Sequence, residues 1–431
     1  MKMKVKHSIQ FASLSIILMM AFQNCGLTEG FKVINANSLI QSSTLSGSTP
    51  GSNVPLLPIA SPTPIPAPNM ACTYYMAVNG SDAGTGSIHS PWASIDSASA
   101  KLSPGQTLCA RGGTYTGQSG PIWHSSGTPT APITFRNYPG EMPVFDGEWG
   151  DGASHGDFLQ FSKNSWILVD GITVQHYVDQ YGNGAIELSS STDIIIQNCT
   201  LQDNGSNSNQ DHNVYIGASS DNVTVRNNLL IRAAGAGVQA FHTPASKGIK
   251  IYNNVIIGGT LNCSKSKSNP CSATATALWG IVIGDATDTQ IYNNTIYGEQ
   301  RGIEFNFGAG AIGPYTLKNN LIINSTEFGL NVSAMYAPYF SSDNNLYNGN
   351  KTDVIYANSS WTRAQFAANT ANDAHSIDAD PAFVNAGSDF HLTANSPAID
   401  KGTILMLFSM DKDWLSRPSG VSYDIGAYEF R

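Results

Sequence analysis

Charge is scarce in this chain: Asp, Glu, Lys and Arg make up 12% of its 431 residues, about half the roughly 25% of an ordinary soluble domain. Basic residues are the scarcer kind, 22 against 31 acidic, and the net charge of −9 excludes the basic field that nonspecific nucleic-acid binding needs. Nucleic acid is therefore not an expected partner. Cysteine is sparse too, six in all, and no pair stands at zinc-ligand spacing. Helical periodicity is missing, which excludes bundles and coiled coils. What remains is a chain 41% hydrophobic, enough for a substantial core, whose surface polarity must come from Asn, Ser, Thr and Gly. That balance suits a β-rich exterior.

The N-terminus reads as an export signal. Lys2, Lys4 and Lys6 precede an apolar run from Ile9 to Phe22, too short to span a membrane. The run ends in Gln23-Asn24-Cys25-Gly26, which resembles a lipobox, where the signal is removed just before a Cys that becomes lipid-modified. The resemblance implies a chain lipid-anchored through Cys25 at an outer membrane, facing the periplasm or the cell surface, since no retaining Asp follows the Cys. Residues 26–71 carry no apolar period, and Ser42 to Pro68 is rich in Ser, Gly and Pro, the composition of a semi-extended linker. An exported chain is free to form disulfides. Cys72 with Cys109 would tie the start of the domain to its first strands, and Cys263 with Cys271 would close a loop. Cys199 is expected to be buried and free.

One phrase recurs from residue 146 onward: an apolar strand, two amide or small residues, then two or three apolar residues. The pairs begin at Asp146, Asp170, Asn198, Asn227, Asn253, Asn293, Asn319 and Asn344, at spacings of 24, 28, 29, 26, 40, 26 and 25. Such a period, with short strands and no helix, means a solenoid. The long interval holds Leu261 to Ala277, read as a loop inserted into one coil. An Asn at the same turn of every coil can donate and accept in a stacked ladder. A second strand precedes each pair. Its alternation sends Ile186, Val214, Val238, Ile281, Ile303 and Leu330 inward, and Glu187, Tyr215, Gln239, Val282, Glu304 and Asn331 outward. The expected fold is all-β: a single right-handed parallel β-helix over 72–347, with an N-terminal cap and a C-terminal capping segment, 348–431, and a monomer.

The opening of the domain, Tyr74-Tyr75-Met76-Ala77-Val78-Asn79-Gly80-Ser81-Asp82, with Pro91-Trp92, Arg111-Gly112-Gly113-Thr114-Tyr115 and Tyr138-Pro139-Gly140, resembles pectate-lyase-like extracellular β-helix proteins, alginate and chondroitin lyases included. Asp380-Pro381-Ala382-Phe383, Ser396-Pro397-Ala398-Ile399-Asp400 and Asp424-Ile425-Gly426-Ala427-Tyr428-Glu429 look like a choice-of-anchor Q ending, expected to cover the open end of the helix. The resemblance implies a polysaccharide partner. Such lyases use a Lys or Arg to abstract the proton beside a uronate, with acidic calcium ligands or a second basic group neutralising the carboxylate. No cluster of Asp or Glu stands beside the basic residues here, so no motif demands a cofactor and calcium is the ion left open.

The densest polar cluster is Asp211-His212-Asn213-Val214-Tyr215, with Arg232 and His242 flanking the next strand. His212 and Tyr215 suit proton abstraction and return, with Asp211 in support, and Arg232 suits stabilising a carboxylate or enolate. Glu187, Gln239 and His242 are the expected sugar contacts, and Tyr252 and Tyr292 a stacking platform on neighbouring rungs. Glu187 and Glu304 lie four rungs apart, about 19 Å, too far for paired-carboxylate glycoside hydrolysis. The leading expectation is a lyase or epimerase-like protein acting on an acidic polysaccharide. A non-catalytic glycan-binding or adhesion solenoid is one alternative, and a glycoside hydrolase another.

Overall fold

A computed structural model describes residues 71–431, except 119, 151–155, 179–183, 206–209, 262–276 and 309–312. Cys25, Cys263, Cys271, the signal segment, all but the last residue of the linker, and nearly all of the inserted loop lie outside the described residues. The rest winds into the expected right-handed parallel β-helix. The first sheet runs in ten strands from Tyr74–Met76 to Phe340–Asp343, and the second in ten from Gly113–Tyr115 to Ile377–Asp378. The third has nine, from Leu159–Ser162 to Ser359–Trp361. Each central coil contributes one strand to each sheet, and these strands pair parallel and in register with the same strand of the next coil.

The core is three files of stacked apolar side chains. Val169, Ile196, Val225, Ile251, Ile291 and Leu317 are register partners in the first sheet. Val174, Leu201, Leu230, Ile256, Ile296 and Ile322 follow one another in the second. The third carries the predicted inward file from Ile186 to Leu330, and all of these residues are buried. Like stacks on like because a coil has no partner for its apolar edge except the coil above and below. Gly302, which opens the Ile303 segment, is required by close approach: a Cβ there would sit 2.3 Å from the Gly329 carbonyl oxygen.

The amide pairs divide their labour. The first residue of each, Asn198, Asn227, Asn253, Asn293, Asn319 and Asn344, takes a left-handed backbone with φ between 50° and 59°, which Asn tolerates better than most residues. The ladder is built by the second. The Asn294 Oδ1 accepts from the backbone N–H and Nδ2 of Asn254, both at 3.0 Å. Its Nδ2 donates to the Ile251 carbonyl at 2.9 Å and to Asn320 Oδ1 at 3.0 Å. Asn228, Asn254, Asn320 and Asn345 repeat the pattern. Asn294→Ala strands several buried partners, each worth about 1–3 kcal/mol when unsatisfied. The expected result is a loss of about 3 kcal/mol or more in urea unfolding, well above that of Asn227→Ala in the outer row.

The ends close differently from one another. At the start, Cys72 and Cys109 form the expected disulfide, and a short helix, Ile95–Ser99, capped by Ser94, buries Ile95 and Ala98 against the first coil. Cys199 is buried and free, its thiol pushed up to about 12 by burial. At the far end, strand pairing continues past residue 347. Val354–Tyr356 joins the third sheet and pairs antiparallel with Ser359–Trp361. A helix, Arg363–Asn369, then seats Phe366 against Tyr356 and Trp361 over the last coil.

Here the expected end cap needs correcting, because only the residues up to Asp378, whose Ile377–Asp378 strand pairs with the last coil, close the open end. The remainder runs back along the flank as a strap. Asn344, Asn319, Asn253 and Asn227 donate in turn to the carbonyls of Lys401, Thr403, Met410 and Asp411. Trp414 Nε1 reaches Asn198 at 2.8 Å. The chain then doubles back, and Asn293 donates to the carbonyls of Asp424 and Gly426. The left-handed amides are thus the strap's docking row.

Candidate functional site

The predicted outward file of the third sheet is real: Glu187, Tyr215, Gln239, Val282, Glu304 and Asn331 are successive register partners. Gln160 extends it by one coil. A second file, three residues earlier in each strand, runs Gly184, His212, Ala236, Trp279, Arg301 and Phe328. His212 and Ala236 open their strands at matching positions. Together the two files floor an external face.

Over the central coils, Tyr215 lies between Glu187 and Gln239 in register. The Tyr215 ring stacks on His212, centroids 5.5 Å apart, and meets the edge of His242 at 6.3 Å. Burial, and then the Glu187 carboxylate, push the Tyr215 phenol well above its ordinary value, so it is a proton donor across the neutral range. His242 is exposed and stands at φ 90°, outside the regions comfortable for a residue with a Cβ. Strain of this kind is found where a side chain must be aimed.

The expected catalytic residues around this centre are held differently. His212 is 1% exposed, its Nδ1 accepts the Ala236 N–H at 3.0 Å, and burial lowers its pKa to about 3. It is neutral, with the proton on Nε2, and its accepting nitrogen is occupied. With Asp211, also buried, it lines a recess of about 10 Å³, room for one water and not for a sugar. His212 is therefore a wall residue and His242 the accessible imidazole. Arg232 is likewise committed: its Nε and Nη2 grip both carboxylate oxygens of Asp203, one coil earlier, at 2.6 Å each. Asp211 is too deep to pair with Glu187 across a sugar.

Tyr252 and Tyr292 stack on adjacent rungs as expected, but they are no platform. The strap covers them: Phe408 lies face to face with Tyr252 at 4.5 Å, and Tyr423 joins the same buried cluster. Glu304 is tied up as well, accepting from Trp279 Nε1 at 2.5 Å, Asn331 Nδ2 at 2.8 Å and Asn306 Nδ2 at 3.1 Å. Among the described residues the one free cysteine, Cys199, is interior. Among the described residues no group of three or more His, Cys, Asp or Glu is arranged to hold a metal. Asp157 and Asp203 spend their oxygens on Gly184, Gln160 and Arg232. These described carboxylates leave no three-donor group for calcium.

Sequence reasoning missed Gln160, Trp279, Arg301 and Phe328 as parts of this face. The available signal was the constant offset of three from the outward file, legible once that file is aligned coil by coil. It also missed Glu299, in the turn before Arg301. That carboxyl is 2% exposed, Oε2 has no partner among the described residues, and burial raises its pKa to about 8. A folded value above the unfolded one means stability is fully present below about pH 4.5 and is lost as pH rises through about 8. Glu299→Gln should melt with the parent at pH 5 and several degrees above it at pH 9, where only the parent must bury a charge.

Fold and face together define a right-handed parallel β-helix that carries two files of side chains on its third sheet. Residues 74–233 match the family model described as the Pel9A-like, right handed beta helix region. A stretch of 79 residues is 40% identical to pectate lyase PEL9 of Emericella nidulans, covering 18% of this chain and 19% of that one. Another of 102 residues is 35% identical to the uncharacterized protein YwoF of Bacillus subtilis, covering 23% and 21%. The chain thus spans about a fifth of the length of the curated relatives it matches. Among solved structures, pectate lyase Pel9A superposes with a TM-score of 0.53 at 17% identity, over 83% of this chain and 96% of that one. At that identity the likeness establishes the fold.

Proposed function

We propose that this chain processes an acidic polysaccharide laid along the third sheet, by abstraction and return of the proton beside a uronate carboxylate. The observation that carries the reading is the meeting of Glu187, Tyr215 and Gln239 on three adjacent coils with the strained His242 at their edge. His242 takes the proton. The C–H electron pair becomes a carbon–carbon double bond as the glycosidic oxygen departs with the Tyr215 proton. In the epimerase variant Tyr215 reprotonates the same carbon from the opposite face. Glu187 and Gln239 hold sugar hydroxyls. The local match to a pectate lyase supports an acidic substrate. The apolar N-terminal run that ends at Cys25 supports a chain tethered through a lipid at the outer membrane.

One observation favours a binding module instead: Arg232 is committed to Asp203, which leaves the Tyr215 centre without a guanidinium among the described residues. The test is the full chain against pectate, alginate, chondroitin and neutral glycans, following absorbance of unsaturated products and new reducing ends. Absorbance on one acidic polymer alone is expected. Reducing ends without absorbance would mean hydrolysis, and tight binding with no product at all would mean a glycan-binding solenoid.

A further inference from the structure

Three rungs along the same face from Tyr215, about 14 Å, the groove changes character. The Arg301 guanidinium lies 5.0 Å over the Trp279 ring and 5.7 Å from that of Phe328. Its Nε donates to Glu327 Oε2 at 2.7 Å, in a pair whose side chains are 31% and 42% exposed. The Nη groups donate to nothing among the described residues. Beside them Phe307 is 52% exposed, its ring edge-on to Trp279 at 6.3 Å. Phe307 stands at φ 69°, an uncommon conformation for a bulky residue. The turn that presents it is pinned: Gly308 N–H donates to Tyr336 Oη at 2.9 Å, and that hydroxyl donates to the Gly284 carbonyl at 2.9 Å.

Exposed aromatics held in strained backbone and flat guanidinium groups with a free edge both point to a ligand. The surface ion pair with Glu327 is weak, whereas a bidentate carboxylate on an aromatic-backed guanidinium is strong and geometrically specific. Glu304 does not compete, since it is buried and held by Trp279, Asn306 and Asn331.

We propose that Arg301, Trp279 and Phe307 form a uronate-binding subsite of this groove. The Arg301 Nη groups take a sugar carboxylate, and Phe307 takes the apolar face of the pyranose ring. The proposal rests on the acidic-polysaccharide reading and adds where the polymer's charge is read. The distance from Tyr215 calls for an oligosaccharide spanning several rungs, so short fragments bind poorly.

The test is calorimetric titration of the full chain with pectate, alginate and chondroitin, each beside its methyl-esterified form. Arg301→Gln should weaken binding to the acidic polymer about tenfold and remove the difference between acid and ester. Arg301→Lys, which keeps the charge but loses the fork, should fall between. Phe307→Ala should weaken both forms about tenfold. Unchanged melting in these surface variants shows that the fold is intact. Affinities within about twofold of the parent would overturn the subsite while leaving the proposed function standing. Failure of the parent chain to bind any acidic polymer would bring down both.

Discussion

Tyr215→Phe is expected to lower turnover of the acidic polymer by about 100-fold or more, with KM and melting temperature little changed. The substitution removes one oxygen. The ring keeps its place on His212 and between Glu187 and Gln239, so packing survives and only the proton donor is lost. His242→Ala should lose turnover on the same scale. His212→Ala supplies the contrast, because that imidazole satisfies the buried Ala236 N–H. Its removal should cost about 1–3 kcal/mol of stability, with activity per folded molecule nearly retained. If His212→Ala abolished turnover at full stability while His242→Ala did nothing, the assignment of the two imidazoles would be reversed.

The second large effect belongs to the strap. Arg417 and Glu429 form an ion pair with no exposure on either side chain, Nη1 to Oε1 at 2.6 Å. Arg417 also donates to the Asp424 and Gly426 carbonyls, and Glu429 accepts from the N–H groups of Ser419 and Asp424. Arg417→Leu leaves a buried carboxylate without its cation, a change that costs about 3–5 kcal/mol. The expected result is a lowered urea midpoint, with protease cleavage appearing first between residues 396 and 431. Replacing both partners by apolar residues should recover most of the loss, since desolvation of the pair offsets much of its attraction. If the single variant melted like the parent, the strap would be an ornament on the helix rather than part of its fold.

Much of the fold was legible in the sequence because a solenoid repeats its requirements. One coil's Ile186 predicts the next coil's Val214, and a period-2 alternation places Tyr215 beside Glu187 and Gln239. What lay beyond reach was contact that crosses the repeat. Nothing in the period says which Asn of a pair faces inward. The answer depends on the left-handed backbone of the first, which swings the second toward the core. The covering of Tyr252 and Tyr292 depends on Phe408, more than a hundred residues away in an aperiodic segment. The two imidazoles were confused for a local reason: His212 sits in a strand that alternates cleanly from Val214, while the turn carrying His242 departs from alternation altogether. Arg232 and Asp203 occupy the same turn of neighbouring coils, an intercoil pairing the repeat spacing of 29 permits but does not announce.

The docking row also changes how such a molecule should come apart. A stack of coils held only by nearest neighbours can fray from an end or melt in segments, each coil leaving at its own temperature. Here a single length of chain grips the amides from Asn344 back to Asn198, so no coil in that span can leave alone without breaking contacts to a segment its neighbours still hold. Independent repeats become one cooperative block, and the groove floor built on those same coils inherits the rigidity of the whole.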